Sequence, residues 1–120
     1  MSSMITIEGE VIHGAKLGRR MGFPTANMEV SGAEIENGVY LSSVEIDDKQ
    51  YKAMSNVGVR PSVDGKCRLL ETHIFDFQGD LYGRRLAVQL VRKIRDEKRF
   101  GSVEELKRQL ESDFELIRSL

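Results

Sequence analysis

Three glycines at four-residue intervals, Gly14, Gly18 and Gly22, are interspersed with Lys16, Arg19 and Arg20 in the stretch GAKLGRRMGFPTAN. Glycine loses more conformational freedom on folding than any other residue, so a cluster of glycines asks for a compensating contact. An anion would provide one, because glycine backbone can turn its N–H groups toward a phosphate while the cations supply opposing charge. A flexible loop with solvated cations is the other reading, and the glycines alone do not choose between them. The stretch is not a Walker A loop, since no Gly-Lys-Ser/Thr occurs and no helical pattern follows, nor is it the dinucleotide fingerprint.

Its end, Pro24-Thr25-Ala26-Asn27, carries a second chemistry. Proline pushes Phe23 toward extended backbone. If the extension persists, Thr25 and Asn27 point to one side. A hydroxyl and an amide oxygen side by side are hard, neutral ligands, suited to a Mg²⁺ ion that keeps phosphate oxygens and waters as its other ligands. Turn-closing hydrogen bonds from Thr and Asn are the equally available alternative. Other reactive side chains point less clearly to chemistry. Cys67 is the single cysteine, so no internal disulfide forms and a reducing cytosol is expected. No His partner sits near it in a familiar signature, so a structural thiol is expected. His13 and His73 are expected to be structural, and no His/Cys/carboxylate cluster has zinc spacing.

The elements that must position these groups read as strands first and a helix last. Ile5, Ile7 and Val11 alternate with polar neighbours, predicting a strand from about Ile5 to His13. Ala26 to Val30 reads as a short extended piece. Residues 38–57 read as a hairpin about the polar turn Asp47-Asp48-Lys49. Arg68 to Phe75 is a further strand. Arg85 to Ile94 is the last, with Leu86, Val88, Leu90 and Arg92 expected on one face. The period then changes: Leu106, Leu110, Phe114 and Ile117 form one helical stripe within Ser102 to Leu120. Ser102 followed three residues later by Glu105 is a capping-box signature. Five or six short strands and a terminal helix predict an antiparallel barrel with a helix packed on it.

The totals fit one domain without repeats or linkers. At 120 residues, 40% hydrophobic and 31% charged, the chain has the make-up of an ordinary globular domain. Eighteen Lys plus Arg against nineteen Asp plus Glu give a formal net charge of -1, which argues against a general binder of nucleic acid or membrane surface. Aromatic content of 7%, with no interleaved basic and aromatic strand, argues against a nucleic-acid-binding barrel. No run approaches the ~20 apolar residues of a membrane span, and the N-terminus resembles no signal peptide.

Taken in order, the glycine-rich lead, GFPTAN, NVGVRPSV (Asn56 to Val63), the block from Glu71 to Gly83 that opens ETHIFDF, and IRDEKRF (Ile94 to Phe100) resemble riboflavin kinase, or flavokinase. The resemblance covers the chain from Glu8 to the terminal helix. It implies a six-stranded antiparallel, Greek-key type closed barrel with a C-terminal helix. It implies transfer of the ATP γ-phosphoryl to the ribityl 5′-hydroxyl of riboflavin, giving FMN and ADP. By the same resemblance Gly14 and Arg19 touch the ATP phosphates, Thr25 also belongs to the ATP site, and Thr25 and Asn27 hold Mg²⁺ or another hard divalent cation such as Mn²⁺ or Zn²⁺. Glu71 matches the catalytic carboxylate, Ile74 and Tyr82 line the adenine nucleotide site, and Arg95, Lys98 and Phe100 belong to a flap over the flavin. Ser62 and Arg19 depart mildly from residues common in the family, Thr and Lys respectively.

A primary hydroxyl is a poor nucleophile, so a carboxylate within hydrogen-bond reach should orient it and accept its proton. The strand pattern puts Glu71 on a face with Leu69, His73 and Phe75, an apolar setting that a glutamate rarely occupies without a role. The expected partners are small-molecule substrates, with neither nucleic acid nor membrane. The expected state is a cytoplasmic monomer, either a stand-alone enzyme or part of a larger bifunctional chain. No His-x-Gly-His motif occurs, so the residues present are not expected to make FAD. Residues 1–3 are expected to be a cloning remnant. A flavin-binding barrel without kinase activity is the rival, but it leaves Gly14 through Asn27 unexplained.

Overall fold

The computed structural model of the chain describes residues 5–12, 25–31, 35–62 and 65–120, with backbone alone for 60–62. Within them six strands precede one helix: β1 (Ile5–Glu10), β2 (Ala26–Glu29), β3 (Gly38–Ile46), β4 (Lys49–Ser62), β5 (Gly65–Ile74), β6 (Arg85–Arg95) and α1 (Val103–Ser119). All the strand pairs are antiparallel, in the order β1-β6-β3-β4-β5-β2. The run β6-β3-β4-β5 is the 4-1-2-3 arrangement of a Greek key. The two end strands approach each other, and the Ile12 N–H donates to the Asn27 carbonyl at 2.8 Å across the seam. The sheet is thus a nearly closed barrel.

Alternation sorts the strands into two faces. Inside lie Val44, Val57, Leu70 and Val88, all at most 1% exposed, with Ile7, Met28 and Leu86 around them. Three hydroxyls share this interior: Ser42, Ser55 and Thr72 form a chain of 2.8 Å hydrogen bonds across β3, β4 and β5. That pairing satisfies groups that would otherwise be costly to bury. On the outer face Val39, Met54 and Phe75 pack against Phe114 and Ile117 of α1, a second core between barrel and helix. Three of the four residues of the predicted stripe, Leu110, Phe114 and Ile117, therefore form the docking face.

Local chemistry explains the ends of these elements. The β3–β4 hairpin turns through two residues, Asp47 and Asp48, with φ of 51° and 67°. Aspartate tolerates that left-handed region, and the resulting turn matches the twist of the strands. Ser102 caps α1 by accepting from the Glu105 N–H at 3.2 Å, while Glu105 reaches back to the Gly101 N–H at 3.0 Å. This is the predicted capping box, with the return bond one residue earlier than usual. Gly38 is required where it stands: a Cβ there would lie 2.7 Å from the Arg95 carbonyl oxygen, and its φ is 153°.

One expectation needs correction. Arg92 does not share a face with Leu86, Val88 and Leu90, because the β3·β6 register shifts between Leu41 and Ser42. The extra residue, Val91, is a bulge that turns Arg92 outward opposite Leu41. A second shift between Val39 and Tyr40 brings Arg95 opposite Val39, on the helix-covered side. Among the described residues no helix is long and apolar enough to cross a membrane.

Candidate active site

Register assembles the centre of the site. Glu71 on β5 lies directly opposite Asn27 on β2 and directly opposite Asn56 on β4. Directly paired residues point to the same face, so the three side chains form one row on the barrel's outer surface. Glu71 is half-buried and Asn27 is buried. The Asn27 amide donates to the Thr25 carbonyl at 3.4 Å, which turns its oxygen away from its own backbone. The Oδ1 atoms of Asn27 and Asn56 are buried and lack any hydrogen-bond partner, the two such atoms among the described residues. Buried polar atoms are nearly always satisfied, so two orphans flanking one carboxylate call for an explanation.

His73, the next residue on the same face of β5, has a different fate. Its ring packs 4.7 Å from the Phe114 ring and 5.3 Å from that of Phe75. It belongs to the aromatic contact between barrel and helix, as expected for a structural histidine.

A cavity of about 110 Å³ opens between the start of β2 and the turn after β5, lined by Thr25, Thr72, Ile74, Phe77 and Asp80 among others but by no residue of the row. It brings together Thr25 and Ile74, two residues expected to contact the nucleotide. Tyr82, 54% exposed, stands just past the lining residue Leu81, and its backbone N–H donates to Asp80 Oδ1 at 2.9 Å. Gly14 and Arg19, expected at the phosphates, lie outside the described residues.

The residues expected to form a flap separate into two groups. Lys98 and Phe100 line a more open hollow of about 500 Å³, together with Arg99, Arg108, Gln109 and Ser112. Arg95 does not line it. Its guanidinium grips the buried Asp113 of α1 through Nε at 3.1 Å and Nη2 at 2.8 Å. Gln109 donates to the same Asp113 at 3.0 Å and accepts from Lys98 at 3.4 Å, so one network links β6, the flap segment and the helix. Arg95 thus ties the end of β6 to α1. Nearby, Lys93 bonds the exposed Asp96 at 2.6 Å, which holds that carboxyl below its ordinary range.

The donor set near Thr25 and Asn27 fits a hard divalent cation: a hydroxyl, an orphaned amide oxygen and a neighbouring carboxylate, all oxygen. No group of three or more His, Cys, Asp or Glu able to hold a metal occurs among the described residues, so any such ion would rely on ligands from its substrate as well. Asn56 had no role in the sequence reading, because only register reveals that it abuts Glu71.

Three comparisons bear on this arrangement. The family model Flavokinase (riboflavin kinase) matches residues 1–120. A bifunctional riboflavin kinase/FMN adenylyltransferase of Pseudomonas fluorescens is 47% identical over 117 residues, 95% of this chain and 37% of that protein. The RNA-binding riboflavin kinase RibR of Bacillus subtilis is 36% identical over 115 residues, 95% of this chain and 50% of that protein. Among solved structures, one described as a macrolide-efflux protein of Streptococcus pneumoniae superposes with a TM-score of 0.85 at 38% identity, covering 96% of this chain and 38% of its own. The chain thus spans half or less of the length of these relatives.

Proposed function

The chain belongs to the riboflavin kinase family, and from that premise we propose that it transfers the γ-phosphoryl group of ATP to the ribityl 5′-hydroxyl of riboflavin. The observation that carries this reading is the direct pairing of Glu71 with Asn27, which lies two residues after Thr25. It sets a proton acceptor next to hard oxygen ligands, the two functions that phosphoryl transfer to an alcohol needs from a protein.

Thr25 and Asn27 would hold the divalent cation, which when bound neutralises charge on the phosphate oxygens. Glu71 accepts the proton of the 5′-hydroxyl as its oxygen attacks the γ-phosphorus, and the bond to ADP breaks with its electron pair leaving on ADP. Ile74 and the cavity around it receive the adenine nucleotide. Lys98 and Phe100 receive the flavin, by stacking and charge, while Arg95 acts through Asp113 to position that segment. Gly14 and Arg19 complete the phosphate contacts. The partners are small molecules rather than nucleic acid or membrane, and the chain works as a cytoplasmic monomer or as a module of a bifunctional enzyme.

Incubation with riboflavin, ATP and Mg²⁺, read by chromatography, tests this. FMN and ADP should appear in equal amounts and FAD should not. Absence of FMN overturns the reading.

A further inference from the structure

We propose that Asn56 accepts a hydrogen bond from the ribityl hydroxyl next to the reacting one, and so selects a polyol-bearing alcohol; this rests on the phosphotransfer reading above. The starting point is the pair of orphaned amide oxygens. Asn27 and Asn56 each present a buried, unpartnered Oδ1, and each lies directly opposite Glu71, one on either neighbouring strand. An ionised carboxylate and an amide oxygen only accept hydrogen bonds. Whatever satisfies the two amide oxygens must be a cation or carry donors. A phosphate oxygen can satisfy neither.

A single cation does not serve both amides. Neighbouring strands lie about 4.8 Å apart, so two strands put Asn27 and Asn56 roughly 9.6 Å apart with Glu71 between them. Mg²⁺ binds oxygen at about 2.1 Å, which keeps its ligands within roughly 4 Å of one another. Asn27, with Thr25 two residues before it, is the cation's side of the row. Asn56 is left needing an O–H or N–H donor.

In this reaction the alcohol brings the donors. The ribityl chain carries hydroxyls on successive carbons. When Glu71 accepts the reacting one, the next falls on the side away from the phosphate, which is the side of Asn56. The outer face of β4 offers no competitor there, since the neighbours of Asn56 on that face are Met54 and Gly58. Across the strands the row then follows the reaction: phosphate side at Asn27, reacting hydroxyl at Glu71, neighbouring hydroxyl at Asn56.

The test compares riboflavin with 4′-deoxyriboflavin as acceptors for the intact chain, Asn56→Ala and Asn56→Thr. A lost hydrogen bond to a buried acceptor should make the unsubstituted protein prefer riboflavin by roughly 10- to 100-fold in kcat/KM. In Asn56→Ala that preference should fall to about threefold or less, with KM for MgATP nearly unchanged. Asn56→Thr, a side chain suited to strands that keeps an acceptor, should retain part of the preference. Circular dichroism checks folding, and if the alanine variant is misfolded the threonine variant carries the comparison. Full preference surviving in the folded variants overturns the assignment, as does a loss confined to MgATP. If the unsubstituted protein makes FMN and only this outcome fails, Asn56 alone is misassigned. If it makes no FMN, both readings fall.

Discussion

Replacing Glu71 by Gln keeps the side chain's shape and removes its proton acceptor, so kcat should fall by about 10²–10⁴-fold while both substrates bind nearly as before. Steady-state kinetics with flavin fluorescence titration separate the two effects. His73→Gln should cost stability instead, because its ring contacts Phe75 and Phe114 rather than the row. A larger kcat loss from His73→Gln than from Glu71→Gln, in folded protein, would reverse the choice of base. Thr25→Ala and Asn27→Ala should weaken MgATP use far more than riboflavin binding, and equal losses on both would remove the cation from that corner. Glu71, Thr25 and Asn27 could be named as candidates from the sequence because each sits in a contiguous motif. Asn56 could not: it lies fifteen positions before Glu71 in the chain, and only the β4·β5 register makes them neighbours.

Strands and helix were read well where one period ran unbroken. The stripe Leu106 to Ile117 and the cap at Ser102 marked α1, and the alternation of apolar residues marked β1 and β3. In β6 the strand itself was read, but the face of Arg92 was not, because two bulges reset the alternation that sequence periodicity assumes to be continuous. Those bulges also deliver Arg95 to Asp113. Asp113 is 3% exposed and the Arg95 side chain 17%, so cutting the pair strands a largely buried cation. Asp113→Ala should destabilise the fold by about 2–4 kcal/mol, somewhat under the usual cost for a fully buried pair. It should also raise KM for riboflavin, since Gln109 bonds the same carboxylate and Lys98 in turn bonds Gln109. Ser102→Ala, which removes only the cap, should cost about 1 kcal/mol. Urea denaturation of the two variants checks both figures.

For the whole molecule, β-rich composition with a late change of period was enough to indicate a barrel carrying a helix. How the barrel shuts was not legible, because Ile12 and Asn27 meet across a sheet whose end strands are β1 and β2. At the far side of the same barrel, Gly38→Ala should destabilise by about 1–3 kcal/mol, since the strained φ and the clash with the Arg95 carbonyl come together. Asn27 has two tasks at the seam. Its carbonyl holds the Ile12 N–H, while its side chain faces Glu71. A ligand gripped by that side chain is held by the same residue that fastens the barrel. Binding and fastening are therefore reciprocally linked. If opening the seam requires release of the ligand, occupancy at about 100 times Kd should slow opening by roughly 100-fold. The Ile12 amide, although it is no part of the row, becomes a clock for the site: its exchange with deuterium should slow when MgATP and riboflavin are both bound.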